Sequence, residues 1–181
     1  MVGRRDPSLT PLGASQAAAV AAGLSRSVSG AVVVLSSPLR RAFDTATPIA
    51  AEFGCAVDAL DDLVELDYGD IEGRNFADLA SDWPPEWVRD PDVPVPGGES
   101  YRALENRVVA AIDAIRAASA DAGVKSIIVV THLGPVKAYL KHVLAGGPML
   151  YAELLVGHGS VSKVCFDDKG GRVVSVNVEP I

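Results

Sequence analysis

Two short runs of β-branched residues constrain this chain more than any other feature. They are AVVVLSS, from Ala31 to Ser37, and SIIVVTH, from Ser126 to His132. Both are continuous rather than alternating, the pattern of strands buried on both faces of a parallel sheet. Each passes at once into a helix signature. Ser37 and Pro38 cap the run PLRRAFDTATPIAAEF, and Gly134 and Pro135 open GPVKAYLKHVL.

The remaining segments fit around these two strands. DPSLTPLG reads as a turn and then a helix start, with Thr10 as cap and Pro11 at the first helical position. In ESYRALENRVVAAIDAIRAASADAG, the residues Leu104, Val108, Ala111, Ile112 and Ile115 recur at helical spacing. The tail SVSKVCFDDKGGRVVSVNV alternates around DDKGG, a hairpin signal that predicts an antiparallel pair bordering the sheet. The order is α-β-α-(β)-loop-α-β-α-β-β. It predicts an α/β fold, a three-layer α/β/α sandwich whose mostly parallel sheet has an antiparallel edge. No opening strand precedes the first helix.

With 181 residues, 49% of them hydrophobic, residues 1–181 make one domain with ample material for a core. The Pro-rich stretch Arg74 to Gly98 carries both tryptophans and reads as a lid-like insertion. Trp83 and Trp87 lie four apart and read first as that loop's own hydrophobic anchor.

A formal charge of −7 argues against a nucleic-acid surface and against an anionic-membrane anchor. Cys55 and Cys165 show no paired spacing and read as reduced thiols. Arg4 and Arg5 before an alanine run faintly imitate a leader, but Asp6, two prolines and Gln16 interrupt it. No stretch approaches the ~18–20 apolar residues of a membrane span. The expected location is cytoplasmic.

Ligands of open α/β sheets bind beyond the carboxyl ends of the strands. There the two strongest strands deliver Arg41, in the first turn of a helix, and His132, at a strand tip. Both could face one anion, with helix N-terminal amides as further donors. Taken singly, Arg41 also fits a solvated helix position and His132 a satisfied strand end. The loop LVELDYGDIEGR adds Glu65, Asp67, Asp70 and Glu72. A carboxyl group facing a phosphate pocket serves as general acid if it holds its proton; Asp67 and Asp70 read more simply as solvated.

These residues resemble a known family. DPSLTPLGASQA, SSPLRRAFDTA, VELDYGDIEG, PGGES and VVTHLGPVK are similar, in order and spacing, to motifs of the histidine phosphatase superfamily, the phosphoglycerate-mutase-like fold. THLGPVK and GGPMLY most resemble its α-ribazole-phosphatase-like branch. The resemblance implies a two-step phosphoryl transfer through a phosphohistidine, without metal or cofactor. In it Glu65 would protonate the leaving group and later activate water. Arg41 and His132, with Leu133 beside them, would neutralise and hold the phosphate. Glu72 would support these from behind, Glu99 and Ser100 would tie the lid's end near the pocket, and Arg5 and Ser37 would line it. His158 could border it; His142 reads as structural or exposed.

Two substitutions depart from the family pattern: Leu133 stands where many members have glycine, and Ile71 where many have tryptophan. A larger departure is that the family's nucleophilic R-H-G tripeptide does not occur; the three histidines are His132, His142 and His158. In the family the strand carrying that tripeptide is central. Its loss would leave backbone groups unpaired at roughly 1–3 kcal/mol each, against total stabilities of only about 5–15 kcal/mol. The missing residues are therefore expected just upstream of Met1. Another segment or subunit filling the gap stays open.

The expected function is a metal-independent phosphomonoesterase acting on a small phosphorylated metabolite. A catalytically inactive phosphate-binding or interaction domain is the rival, and phosphoglycerate-mutase-type transfer the third option. The expected partners are that metabolite or inorganic phosphate. An exposed sheet edge would also invite a homodimer.

Overall fold

The computed structural model describes residues 1–75, 85–146 and 153–179. Helix α1, Pro11–Ser27, starts where the sequence places it: Pro11 is its first residue, and the Thr10 Oγ1 accepts the Gly13 N–H at 3.1 Å. Strand β1, Val32–Ser36, leads into helix α2, Arg40–Phe53, and then the short strand β2, Val57–Ala59. Two single 3-10 turns, Asp61–Leu63 and Gly69–Ile71, bracket the acidic loop. A short helix α3, Glu86–Arg89, precedes the long helix α4, Tyr101–Asp121. Strand β3, Ser126–Val130, helix α5, Leu133–Val143, and the hairpin β4, Val161–Asp167, with β5, Gly170–Val178, complete the order.

The main sheet is parallel, in the order β2-β1-β3, with Ser36 opposite Val130 at its carboxyl end. Helices α1 and α2 pack together on one face, around Val20, Leu24, Val34, Ala46 and Ile49. On the other side α4 and α5 enclose Leu66, Trp87, Val95, Leu104, Val108 and Tyr139. The three layers are thus two helical pairs with the strands between them. No described helix is long and apolar enough to cross a membrane, and Cys55 and Cys165 are both free.

Three expectations are corrected. Helix α2 begins at Arg40 rather than at Pro38, because Ser37 still belongs to the strand ladder: its N–H donates to the Val130 carbonyl at 3.0 Å. The start of α2 is then capped from outside, the Asp6 Oδ1 accepting the Arg40 N–H at 2.6 Å. Secondly, the run at β3 is not buried on both faces. All five of its residues are partly exposed, because among the described residues β3 pairs only with β1. Thirdly, the antiparallel pair is present as expected, but among the described residues it is not hydrogen-bonded to the parallel sheet. Its strands pair with each other from Val161↔Val178 to Asp167↔Gly170 and form a second, two-stranded antiparallel sheet.

Candidate active site

Parallel register brings the ends of β1 and β3 side by side, so the residues that follow them meet. The Nε2 of His132 lies 2.8 Å from the Oγ of Ser37, and both side chains are buried. Ser37 Oγ also accepts the Leu39 N–H at 3.3 Å, turning the chain toward α2. His132 is the N-cap residue of α5. Burial pushes its imidazole down to about 3, and the Arg41 and Arg107 cations push the same way. At neutral pH the ring is therefore uncharged. An uncharged His132 has a hydrogen bond to offer an anion, and the nearby cations are Arg41 and Arg107.

Glu65 sits between Leu63 and Leu66, both fully buried, which anchor its loop on either side. Its Oε1 accepts the Leu66 N–H at 2.8 Å and the Gly134 N–H, in the first turn of α5, at 3.0 Å. The Thr131 hydroxyl, one residue before His132, donates to the Leu63 carbonyl at 2.6 Å and ties the loop to the tip of β3. Burial raises the carboxyl above its ordinary value; the two amide bonds and the cations of Arg41 and Arg107 oppose that rise. The result is a carboxyl group that holds its proton longer than a solvated one. It also means that the helix amides expected to face an anion are engaged internally. Gly134 N–H goes to Glu65, and Arg40 N–H to Asp6.

Arg41 reaches across to the N-terminal segment. Its Nη1 donates to the Arg5 carbonyl at 2.6 Å and its Nη2 to the Gly3 carbonyl at 2.8 Å. Burial lowers the guanidinium from its ordinary value, while Glu65, Asp6 and Glu72 oppose the change. Glu72 holds this segment in place: its Oε1 accepts the Arg4 N–H at 2.6 Å, and its carbonyl accepts Arg5 Nη2 at 3.0 Å. Gly3 turns here with φ +55°, and a Cβ on it would run into the Glu72 carboxylate. The chain therefore needs glycine at this position.

The acidic loop and the PGGES stretch interlock. Asp70 N–H donates to the Pro96 carbonyl at 2.9 Å and Glu99 N–H to the Asp67 carbonyl at 3.0 Å. Gly98 faces the Asp67 carbonyl so closely that a side chain would not fit. Ser100 caps α4 through the Ala103 N–H at 3.1 Å. Glu99 holds both Nε and Nη2 of Arg107, at 2.7 and 2.9 Å. Trp87 is buried against Tyr68 and Tyr101, with centroids 6.4 and 6.2 Å apart, as an anchor of its loop. Trp83, the rest of the lid's middle and most of GGPMLY lie outside the described residues.

Ser37, Arg41, Glu65 and His132 are thus gathered at one sheet edge, with Arg5, Glu72 and Glu99 around them. Leu133, the first residue of α5, has an exposed side chain. His158 is exposed in the turn before β4, where the next residue, Gly159, lies against Gln16 of α1; it stands outside this hydrogen-bond network. His142, near the end of α5, stacks loosely on Tyr139. Arg107 and Asp6 are missed by the sequence reading. Arg107 had a signal: it falls three residues after Leu104 and next to Val108, inside the apolar stripe of α4. A charge there requires a buried partner.

Comparison with known proteins places the fold in a family. A bifunctional protein of Mycobacterium tuberculosis is 39% identical over 153 residues, which cover 82% of this chain and 41% of that protein. The chain therefore spans less than half the length of that relative. Phosphoserine phosphatase 1 of Hydrogenobacter thermophilus is 27% identical over 180 residues, covering 97% of this chain and 83% of its own length. The mycobacterial glucosyl-3-phosphoglycerate phosphatase solved with inorganic phosphate superposes with a TM-score of 0.87 at 26% identity, covering 99% of this chain and 92% of that one. The α-ribazole phosphatase of Shigella flexneri, at 24% identity, shares the fold with a TM-score of 0.81. The family model that matches residues 1–179 is that of the histidine phosphatase superfamily (branch 1), and the chain belongs to this family.

Proposed function

We propose that this chain carries the phosphate-holding and acid–base half of a cytoplasmic, metal-independent phosphomonoesterase acting on a small phosphorylated metabolite. The observation that supports this reading most is the meeting of Arg41, Glu65, His132 and Ser37 at the carboxyl edge of β1 and β3. Arg41 supplies charge to the non-bridging oxygens, and neutral His132 donates a hydrogen bond through its free nitrogen. Leu133 lies at the adjoining helix start.

The chemistry runs in two steps. A histidine nitrogen forms a bond to phosphorus as the P–O bond to the leaving group breaks, and Glu65 gives its proton to that oxygen. Water then attacks phosphorus, Glu65 takes its proton back, and the N–P bond breaks to release phosphate. The attacking histidine is none of the three in this chain. His132 is buried on Ser37, and His142 and His158 lie outside the cluster. It would come with an R-H-G strand, which the 181-residue sequence does not contain.

The test is acid-quench trapping on the full-length gene product with p-nitrophenyl phosphate. Phosphohistidine is expected outside the 181 residues, with turnover falling roughly 10²–10⁴-fold in Glu65→Gln. Phosphate trapped on His132, or turnover indifferent to Glu65→Gln, would overturn the reading. A domain that binds phosphate without turnover is the second reading. It is favoured by the absence of a suitably placed histidine among the described residues, and full-length protein that binds phosphate yet never turns over would establish it.

A further inference from the structure

Arg107 bonds to three separate parts of the site's framework through one side chain. Its guanidinium has five N–H groups in one plane. Nε and Nη2 grip the two Glu99 oxygens at 2.7 and 2.9 Å. The same group sends Nη1 to the Asp62 carbonyl at 2.6 Å and Nη2 to the Glu65 carbonyl at 3.2 Å. Arg107 and Glu99 side chains are only 16% and 12% exposed, so this pair is shielded from solvent exchange. We propose that Arg107 is a positioning residue for Glu65, fixing the direction of its carboxyl group through the carbonyls of Asp62 and Glu65 while Glu99 sets the plane of the guanidinium.

The physical reason is the rigidity of the fork. A bidentate arginine–carboxylate pair fixes orientation as well as distance. With Glu99 set by its own amide on Asp67, the remaining N–H groups have one direction left, toward the Glu65 loop. Glu65 Oε1 must then meet both the Leu66 and Gly134 amides, which a shift of its backbone by a fraction of an ångström would break. A lysine would keep the charge but has no planar fork. Arg107 touches no reacting atom in this scheme, and its effect passes entirely through Glu65.

The inference rests on the reading of Glu65 as general acid, and its test reads Glu65 directly. The groups facing that carboxyl are Arg41 from α2, Arg107 from α4, and the tyrosines Tyr68 and Tyr101. The experiment is a pH titration by NMR of the Glu65 carboxyl carbon, with the Leu66 and Gly134 amides followed together, in the 181-residue chain. In the unsubstituted chain both amides should titrate with Glu65. In Arg107→Met that coupling should vanish and the Glu65 midpoint should rise by roughly half a unit or more, since an opposite charge has left. Arg107→Lys should restore the midpoint but not the amide coupling. Glu99→Gln, which keeps Arg107 and breaks the fork, should also lose the coupling and serves if Arg107→Met does not fold.

Coupling that survives in Arg107→Lys and Glu99→Gln would overturn the inference and leave Arg107 a merely structural residue. Inorganic phosphate binding, followed in the same samples, separates the two claims. A chain that shows the coupling but binds no phosphate contradicts the functional reading alone. One that binds phosphate with the coupling indifferent to Arg107 contradicts this inference alone.

Discussion

His132 Nε2 and Ser37 Oγ, 2.8 Å apart, join the ends of two strands that lie 95 residues apart in sequence. The bond exists because β1 and β3 run parallel in register, and it closes the floor of the site. Removing the hydroxyl with Ser37→Ala leaves the buried imidazole nitrogen unpaired. The expected loss is about 1–3 kcal/mol of unfolding free energy, read from urea denaturation. No loss would mean that water replaces the hydroxyl.

The same imidazole makes stability depend on pH. Its folded value of about 3 lies below the ordinary 6.5, so the unfolded chain binds a proton that the folded chain refuses. Stability from this group is complete above pH 6.5 and falls as pH drops toward 3, with a limiting slope on the order of 1.4 kcal/mol per unit. Glu65 acts oppositely: its raised value disfavours folding at high pH and eases as the carboxyl is protonated. His132→Gln should therefore flatten the decline between pH 6.5 and 4, measured by denaturation at several pH values. An unchanged decline would place its cause elsewhere.

Gly3 supplies a third prediction. Gly3→Ala must hold a side chain at φ +55° and push the Glu72 carboxylate off the Arg4 amide. Arg41 then loses the two carbonyls that orient it. Inorganic phosphate affinity should fall about tenfold, which corresponds to ~1.4 kcal/mol, with a smaller loss of stability. Unchanged affinity would show that Arg41 is oriented without this segment.

Away from the site, Lys141 and Glu105 form a buried ion pair at 2.5 Å, with Arg102 a further 3.4 Å partner of Glu105. Glu105→Ala strands a lysine that is 7% exposed and should cost about 3–5 kcal/mol. Lys141→Met should cost less, because Glu105 keeps Arg102. Thermal denaturation of the two variants checks the order.

Much of this arrangement was legible in the sequence. Thr10 and Pro11 marked the start of α1 because capping is local chemistry, and the runs at β1 and β3 marked strands because β-branching is local too. Arg41 and His132 were recognisable together because two strands end at one edge; Glu65 was picked out of its acidic loop only through the family resemblance. What stayed hidden was long-range. Nothing near Arg40 shows that Asp6 caps its helix. The DDKGG turn shows that β4 pairs with β5, but nothing in either strand tells whether the pair also joins the parallel sheet. The partial exposure of β3 depends on which strands lie beside it, not on its own residues. The burial of His132 beside two guanidinium groups, which keeps its imidazole uncharged, is likewise set by the fold and not by its sequence neighbours.

The central claim is that Arg41, Glu65 and His132 form a phosphate-holding site, and calorimetric titration of the 181-residue chain with inorganic phosphate at pH 7 tests it most directly. The account predicts saturable binding at one site, abolished by Arg41→Ala and left unchanged by Lys141→Met. No saturable binding by the folded chain, or binding that survives Arg41→Ala undiminished, would contradict it.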